Sequence, residues 1–226
     1  MVETAGLRSG GGAAMFRKRN MRDIRLTSCY NKSMLQDQEG LYQIDVPLVF
    51  TDGTETYSKV AKEYIRHKKG FFILGPSGIG KSHYIRNQKP PEKHWIDADQ
   101  LWRWARAMPL GAWWEKLENI IEVEQKCDII TAEAKKQGFW MLGSACNWLT
   151  PDAIVVPHWQ TNVKYIKIRE KNYDGGITTE RLPQLKNHRK EILGWQKKGV
   201  PRFHSVPEAV AYLENIYTKE FGNVDA

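Results

Sequence analysis

Apolar residues fall in short, unbroken runs set between longer stretches of helical spacing. Phe71-Phe72-Ile73-Leu74, His94 to Ile96, Phe139-Trp140-Met141-Leu142, Asp152-Ala153-Ile154-Val155-Val156 and Arg202-Phe203-His204 each read as a strand. A run without polar alternation is the pattern of a strand covered on both faces. Helices are predicted between them: from about Lys81, from Gln100 to Ala107, from Trp113 to Gln137, from Gln160 to Glu170, from Arg181 to Lys197, and from Pro207 to about Phe221 with Ser205 as cap. In the third of these, Leu117, Ile120, Ile121 and Val123 through Ile129 and Ile130 form the stripe, and Gly138 ends it. Strand and helix alternate, which predicts a parallel sheet with right-handed crossovers and helices on both faces. Lys171 to Thr179, with Asp174-Gly175-Gly176, is a polar loop.

Ahead of the alternation, Leu41 to Phe50 reads as extended with Pro47 confining it to an edge, and Thr54 caps a helix predicted to reach His67. Residues 1–40 are rich in Gly, Ser, Arg, Gln and Asn and have no apolar period, so they are expected to be a disordered basic tail before a domain spanning 41–226. Met15 and Met21 are alternative starts. No internal repeat is present.

Composition narrows the classes. The chain has 226 residues and a net charge of +8, part of it in Arg17 to Arg25, so its partner is expected to be anionic: nucleotide phosphates, or nucleic acid reached through the tail. Cys29, Cys127 and Cys146 are widely spaced, which argues for reduced thiols in an intracellular, cytoplasmic setting and against a zinc site. No apolar run approaches the ~18 residues of a membrane helix, and the N-terminus lacks a hydrophobic secretory core. A soluble protein with no membrane partner is expected.

The residues after the first run carry chemistry. Gly75-Pro76-Ser77-Gly78-Ile79-Gly80-Lys81-Ser82-His83 contains the spacing of a phosphate-binding loop, Gly-x-x-x-x-Gly-Lys-Ser, with a strand before it and a helix-compatible run after. Glycine reaches positive φ and leaves no Cβ in the way, so backbone N–H groups can crowd a phosphate chain. Lys81 would reach the outer phosphates of ATP and Ser82 would ligate Mg²⁺, with Asp97 as a second metal partner. Asp97 and Asp99 sit where the second strand meets a loop, at the sheet edge where ligands bind in open α/β sheets. Asp97 is expected to face the pocket as base or metal partner; Asp99 is free to cap the following helix, and a capping role for the whole Asp-Ala-Asp is the alternative.

Taken together, these motifs resemble the shikimate, gluconate and nucleoside monophosphate kinase group of P-loop phosphotransferases. Their pattern is a P-loop, a second strand ending Asp-x-Asp, a third strand ending in small residues, here Trp140-Met141-Leu142-Gly143-Ser144-Ala145, and a helix ending in Arg before a lid, here Lys167-Ile168-Arg169-Glu170. The whole chain is also similar to uncharacterised kinase-like proteins of large DNA viruses. The resemblance implies a three-layer P-loop NTPase fold with a five-stranded parallel sheet, here with a basic N-terminal extension, and phosphoryl transfer from ATP to a small acceptor. It makes Lys81, Asp97, Asp99 and Arg169 the catalytic set. Arg181 and Arg189 flank the lid loop beside Arg169, and a guanidinium suits the charge that spreads in phosphoryl transfer.

The acceptor is expected to be a nucleotide or nucleoside. Nine tryptophans are many for this length, and Trp95, Trp102, Trp104, Trp113 and Trp114, with Arg103 and Arg106, suit either a planar base or an ordinary core. His94, His158 and His204 lack metal-ligand spacing and read as structural. Two alternatives stand beside the kinase: a polynucleotide 5′-hydroxyl kinase, and a nucleotide-binding structural or regulatory protein without turnover, since no later strand ends in an acidic residue.

Overall fold

The computed structural model describes residues 62–88, 93–105, 107, 117–171 and 177–222. The expected tail, the Leu41 to Phe50 segment, Trp113, Trp114, Arg106 and most of the Lys171 to Thr179 loop lie outside them. Five strands form one all-parallel sheet: β1 Phe71–Leu74, β2 Trp95–Asp97, β3 Trp140–Gly143, β4 Ala153–Val155 and β5 Arg202–Phe203, in the spatial order β2-β3-β1-β4-β5. Six α-helices accompany them among the described residues: α1 Lys81–Arg86, α2 Ala98–Trp104, α3 Leu117–Lys136, α4 Trp159–Glu170, α5 Leu182–Gln196 and α6 Val206–Phe221. A 3₁₀ turn, Thr179–Arg181, leads into α5. The α/β class and the five parallel strands expected from the alternation are therefore present.

Burial on both faces explains the unbroken apolar runs. Phe71 and Ile73 join Trp95, Trp140, Leu142, Ala153 and Val155 in one cluster, which α6 closes with Val206, Ala209, Val210, Leu213 and Tyr217. Phe72 and Leu74 join Ile96, Met141 and Ile154 in the other, closed by Leu101 and Trp102 of α2, Val123, Cys127, Ile130 and Ala134 of α3, and Ile192 and Trp195 of α5. Ser205 caps α6 by accepting from the Glu208 N–H, while Glu208 Oε2 accepts from His204 N–H (3.1 Å). β1 pairs with β3 from Phe71↔Trp140 to Leu74↔Gly143, and with β4 from Ile73↔Ala153. All strands point the same way, so their carboxyl ends share one edge.

Three expectations need correction. The helix predicted to reach His67 ends by Glu63 within the described residues, because Ile65 N–H donates to Lys93 O (3.0 Å) and His67 N–H to Gly138 O (2.9 Å). Tertiary bonds there take the amides a helix would use. The helix predicted over Gln100 to Ala107 begins at Ala98 and ends at Trp104, since Asp97, not Asp99, is its cap. Trp95 and Trp102 do not share one platform: Trp95 lies in the first cluster and Trp102 in the second, on opposite faces of the sheet, each 1% exposed or less.

The β3–β4 connection is held by a buried acid. Asp128 of α3 is 0% exposed; its Oδ2 accepts the N–H groups of Asn147, Trp148 and Leu149 at 2.6–3.1 Å, and its Oδ1 has no partner among the described residues. Burial pushes this carboxyl up to about 7, against the pull of the three N–H groups. Because the folded value lies above the unfolded one, the stability it contributes is full below the unfolded value and lost as pH rises through 7. We expect wild type to lose stability relative to Asp128→Asn between pH 4 and 8, by on the order of 4 kcal/mol, in urea denaturation. An unchanged difference across that range would contradict the assignment.

Candidate functional site

At the carboxyl edge, residues 75–82 leave β1 in a tight turn. Gly75 N–H donates to Gly143 O (3.0 Å), which ties the turn to the end of β3. A Cβ at Gly75 would lie 2.2 Å from Ile79 Cδ1 and 2.9 Å from Val155 O, so the turn closes only around a glycine. Gly78 has φ 78° and Gly80 φ 96°, a region that costs other residues strain. Ile79 folds under the turn into the first apolar cluster.

Lys81, the first residue of α1, is 7% exposed, and its Nζ donates to Gly75 O (3.0 Å) and Pro76 O (3.2 Å). Burial lowers its pKa, opposed by Asp99 and Asp97; Arg169 lowers it further. Ser82 Oγ donates to Asp97 Oδ2 (3.2 Å), and Asp97 Oδ1 accepts the Asp99 N–H (3.1 Å). Asp97 therefore both caps α2 and faces the turn. Its pKa is raised by burial and by Asp99, with Lys81, Ser82 and the Asp99 amide pulling the other way. Asp99, in the first turn of α2, accepts from Ser144 Oγ (2.7 Å), just past β3.

The opposite wall comes from α4 and α5. Arg169 Nη1 donates to Ser77 Oγ (2.8 Å) and Nη2 to the Ile177 carbonyl beyond the loop. Asn162, 0% exposed, donates through Nδ2 to Ser77 O (3.0 Å) and Gly78 O (3.2 Å). Arg189 Nη1 donates to Asn162 Oδ1 (2.7 Å). His188 stands near Lys81 and Asp99 and bonds to the Ser144 backbone; burial, then Lys81, lower its pKa to about 4, so it is neutral at pH 7.

Residues expected from the sequence thus converge in large part: Gly75 to Ser82, Asp97, Asp99 and Arg169 all meet at this edge. His83 does not. It is exposed on α1 with its ring at Asn87 Nδ2 (3.0 Å from Nε2). Arg189 is 8% exposed and serves Asn162 and Pro157 O, while Arg181 sits in the 3₁₀ turn with its amide on Thr178 O. The structure pairs His94 with His67 (Nδ1 to Nε2, 3.3 Å), and His158 stacks on His204 at 4.6 Å between centroids. Asn162 and His188 were not anticipated. Asn162 shares a helix face with Ile166 and Arg169, at i, i+4 and i+7, and a lone amide on a buried face is the signal that could have found it. Chemically, the edge offers a buried ammonium, a guanidinium, turn amides and three hydroxyls, beside two carboxylates and a neutral imidazole, a set suited to an anion and a transferable proton.

No family model, curated protein or solved structure matches this chain.

The capping role of Asp97 can be tested apart from any ligand. Asp97→Ala is expected to cost about 1 kcal/mol in chemical denaturation, and Asp97→Asn much less, because an amide oxygen accepts the Asp99 N–H equally well. Equal losses in both variants would contradict the cap.

Proposed function

We propose that this protein is a nucleotide-dependent phosphotransferase in which the turn 75–82 is a phosphate-binding loop for ATP, with transfer to a small acceptor, a nucleotide or nucleoside being favoured. One observation carries the reading: Lys81 is buried with two neutral carbonyls on two of its three N–H groups among the described residues. Burial disfavours an ammonium so placed, Asp99 and Asp97 offset this only in part, and a polyphosphate entering beside it would favour its charged form further.

The roles follow from placement. Lys81 and the turn amides would bind the outer phosphates, and Arg169, already at Ser77, would meet the charge that spreads over the transferred group. An acceptor hydroxyl attacks the terminal phosphorus, the bond to the nucleoside diphosphate oxygen breaks, and the hydroxyl proton passes to the Asp97 carboxylate. Burial and Asp99 raise the pKa of Asp97 in the metal-free protein, which suits it to take the proton; holding magnesium is its alternative role. Asp99 supports it through the first turn of α2 and the bond from Ser144.

Magnesium fits the oxygens present. Ser82 Oγ and Asp97 Oδ2, 3.2 Å apart, are hard oxygen donors of the kind magnesium takes and would hold it between them and the phosphates. Among the described residues no cluster of three or more His, Cys, Asp or Glu could hold a metal, so the remaining positions would go to phosphate and water. The ion would neutralise phosphate charge and hold the transferring group in place.

A second reading, nucleotide binding without turnover, is favoured by the strand ends: β3 gives way to Ser144 and β4 to Val156-Pro157, and neither supplies a carboxylate. Measuring magnesium-ATP affinity alongside radiolabelled transfer onto nucleoside monophosphates, nucleosides and oligonucleotides separates these readings. Oligonucleotides as the preferred acceptor would identify a polynucleotide 5′-hydroxyl kinase.

Lys81→Ala is expected to abolish magnesium-ATP binding and transfer while the melting temperature holds. Asp97→Asn should bind ATP normally and transfer about 10²- to 10⁴-fold more slowly. A wild-type protein that shows no magnesium-ATP binding by calorimetry would overturn the reading.

A further inference from the structure

We propose that Asn162 is a positioning residue that sets the peptide orientation at the crest of the turn, and that Arg189 in turn orients Asn162. The inference rests on the phosphate-binding reading above, but its physical core concerns the ligand-free protein.

The direction of the Asn162 amide is fixed by chemistry. A guanidinium has only donors, so the atom 2.7 Å from Arg189 Nη1 must be the oxygen, and the nitrogen must face Ser77 O and Gly78 O at 3.0 and 3.2 Å. Arg189 is itself held: it is 8% exposed, its Nη2 donates to Pro157 O (2.7 Å), and its guanidinium lies 5.6 Å from the Trp159 ring centroid. The chain of contacts runs from α5 through α4 to the turn.

What this does to the turn follows from peptide geometry. In a planar trans peptide the C=O and the next N–H point in opposite directions. Drawing the Ser77 and Gly78 carbonyls toward α4 therefore aims the Gly78 and Ile79 N–H groups away from it. A flip of either peptide would put a carbonyl oxygen where an N–H had been, turning attraction for an anion into repulsion. Gly78, at φ 78°, has no side chain to resist such a flip, so the constraint must come from outside the turn. Its missing Cβ also lets the crest rest on α4, since that atom would lie 2.6 Å from Ile166 Cγ1 and 3.1 Å from Asn162 Nδ2. Ile166 supplies packing; Asn162 supplies direction.

Asn162→Asp separates direction from stability, because the shape is kept, the partner of Arg189 becomes a full carboxylate, and the two donors to the turn become an acceptor. The expected result is a melting temperature kept or raised, with magnesium-ATP affinity weaker by about tenfold or more in calorimetry. Residual dipolar couplings of the Gly78 and Ile79 N–H vectors in the ligand-free protein should also shift away from their wild-type values. Asn162→Ala should lose affinity and stability together, as Arg189 is left with one fewer acceptor. Wild-type affinity in Asn162→Asp, or unchanged couplings at both amides, would overturn the inference. If wild type itself fails to bind magnesium-ATP, the functional reading falls while the couplings still decide whether Asn162 orients the turn.

Discussion

Placing an ammonium almost out of water is the constraint on which the carboxyl edge is built. Lys81 can be buried only if oxygen atoms replace the water it has lost, and the turn supplies them by directing the Gly75 and Pro76 carbonyls inward. Inward carbonyls demand a turn so tight that Gly75 cannot carry a Cβ, and one that passes through positive φ at Gly78 and Gly80. The tightness then needs anchorage. It comes from Gly143 at the end of β3, on which the Gly75 amide bonds, and from Asp97 at the end of β2, which receives Ser82. The strand order β2-β3-β1-β4-β5 makes this possible by setting β3 directly beside β1 and β2 next to it.

The later half of the chain completes the turn from the other side. Ser77 is gripped twice, its carbonyl by Asn162 and its hydroxyl by Arg169, and Arg169 also reaches the Ile177 carbonyl beyond the polar loop.

Much of the fold could be read from the chain because parallel strands covered on both faces need unbroken apolar runs, and Phe71 to Leu74 and Trp140 to Leu142 show that need without alternation. The glycine-lysine-serine spacing was legible because its parts are contiguous. The division of labour between Asp97 and Asp99 was not, because it hangs on a single residue of register: β2 runs from Trp95 to Asp97, one residue beyond the start and end expected, and this makes Asp97 the cap of α2. Trp95 and Trp102 took the core role the sequence allowed, but not side by side. Trp95 belongs to a strand and Trp102 to a helix on the sheet's far face, so closeness in sequence did not become closeness in space. Asn162 and His188 could not be placed from local pattern, since what distinguishes them are contacts to Ser77, Gly78, Ser144 and Lys81, 44 to 107 positions away.

Amide-resolved titration with magnesium-ATP tests the central claim most directly. If the turn cradles phosphates, the N–H resonances of Gly78, Gly80, Lys81 and Ser82 should shift together and saturably, adenosine should leave them in place, and inorganic triphosphate should reproduce most of the effect. Shifts confined to residues remote from this turn, or an identical response to adenosine, would contradict the account.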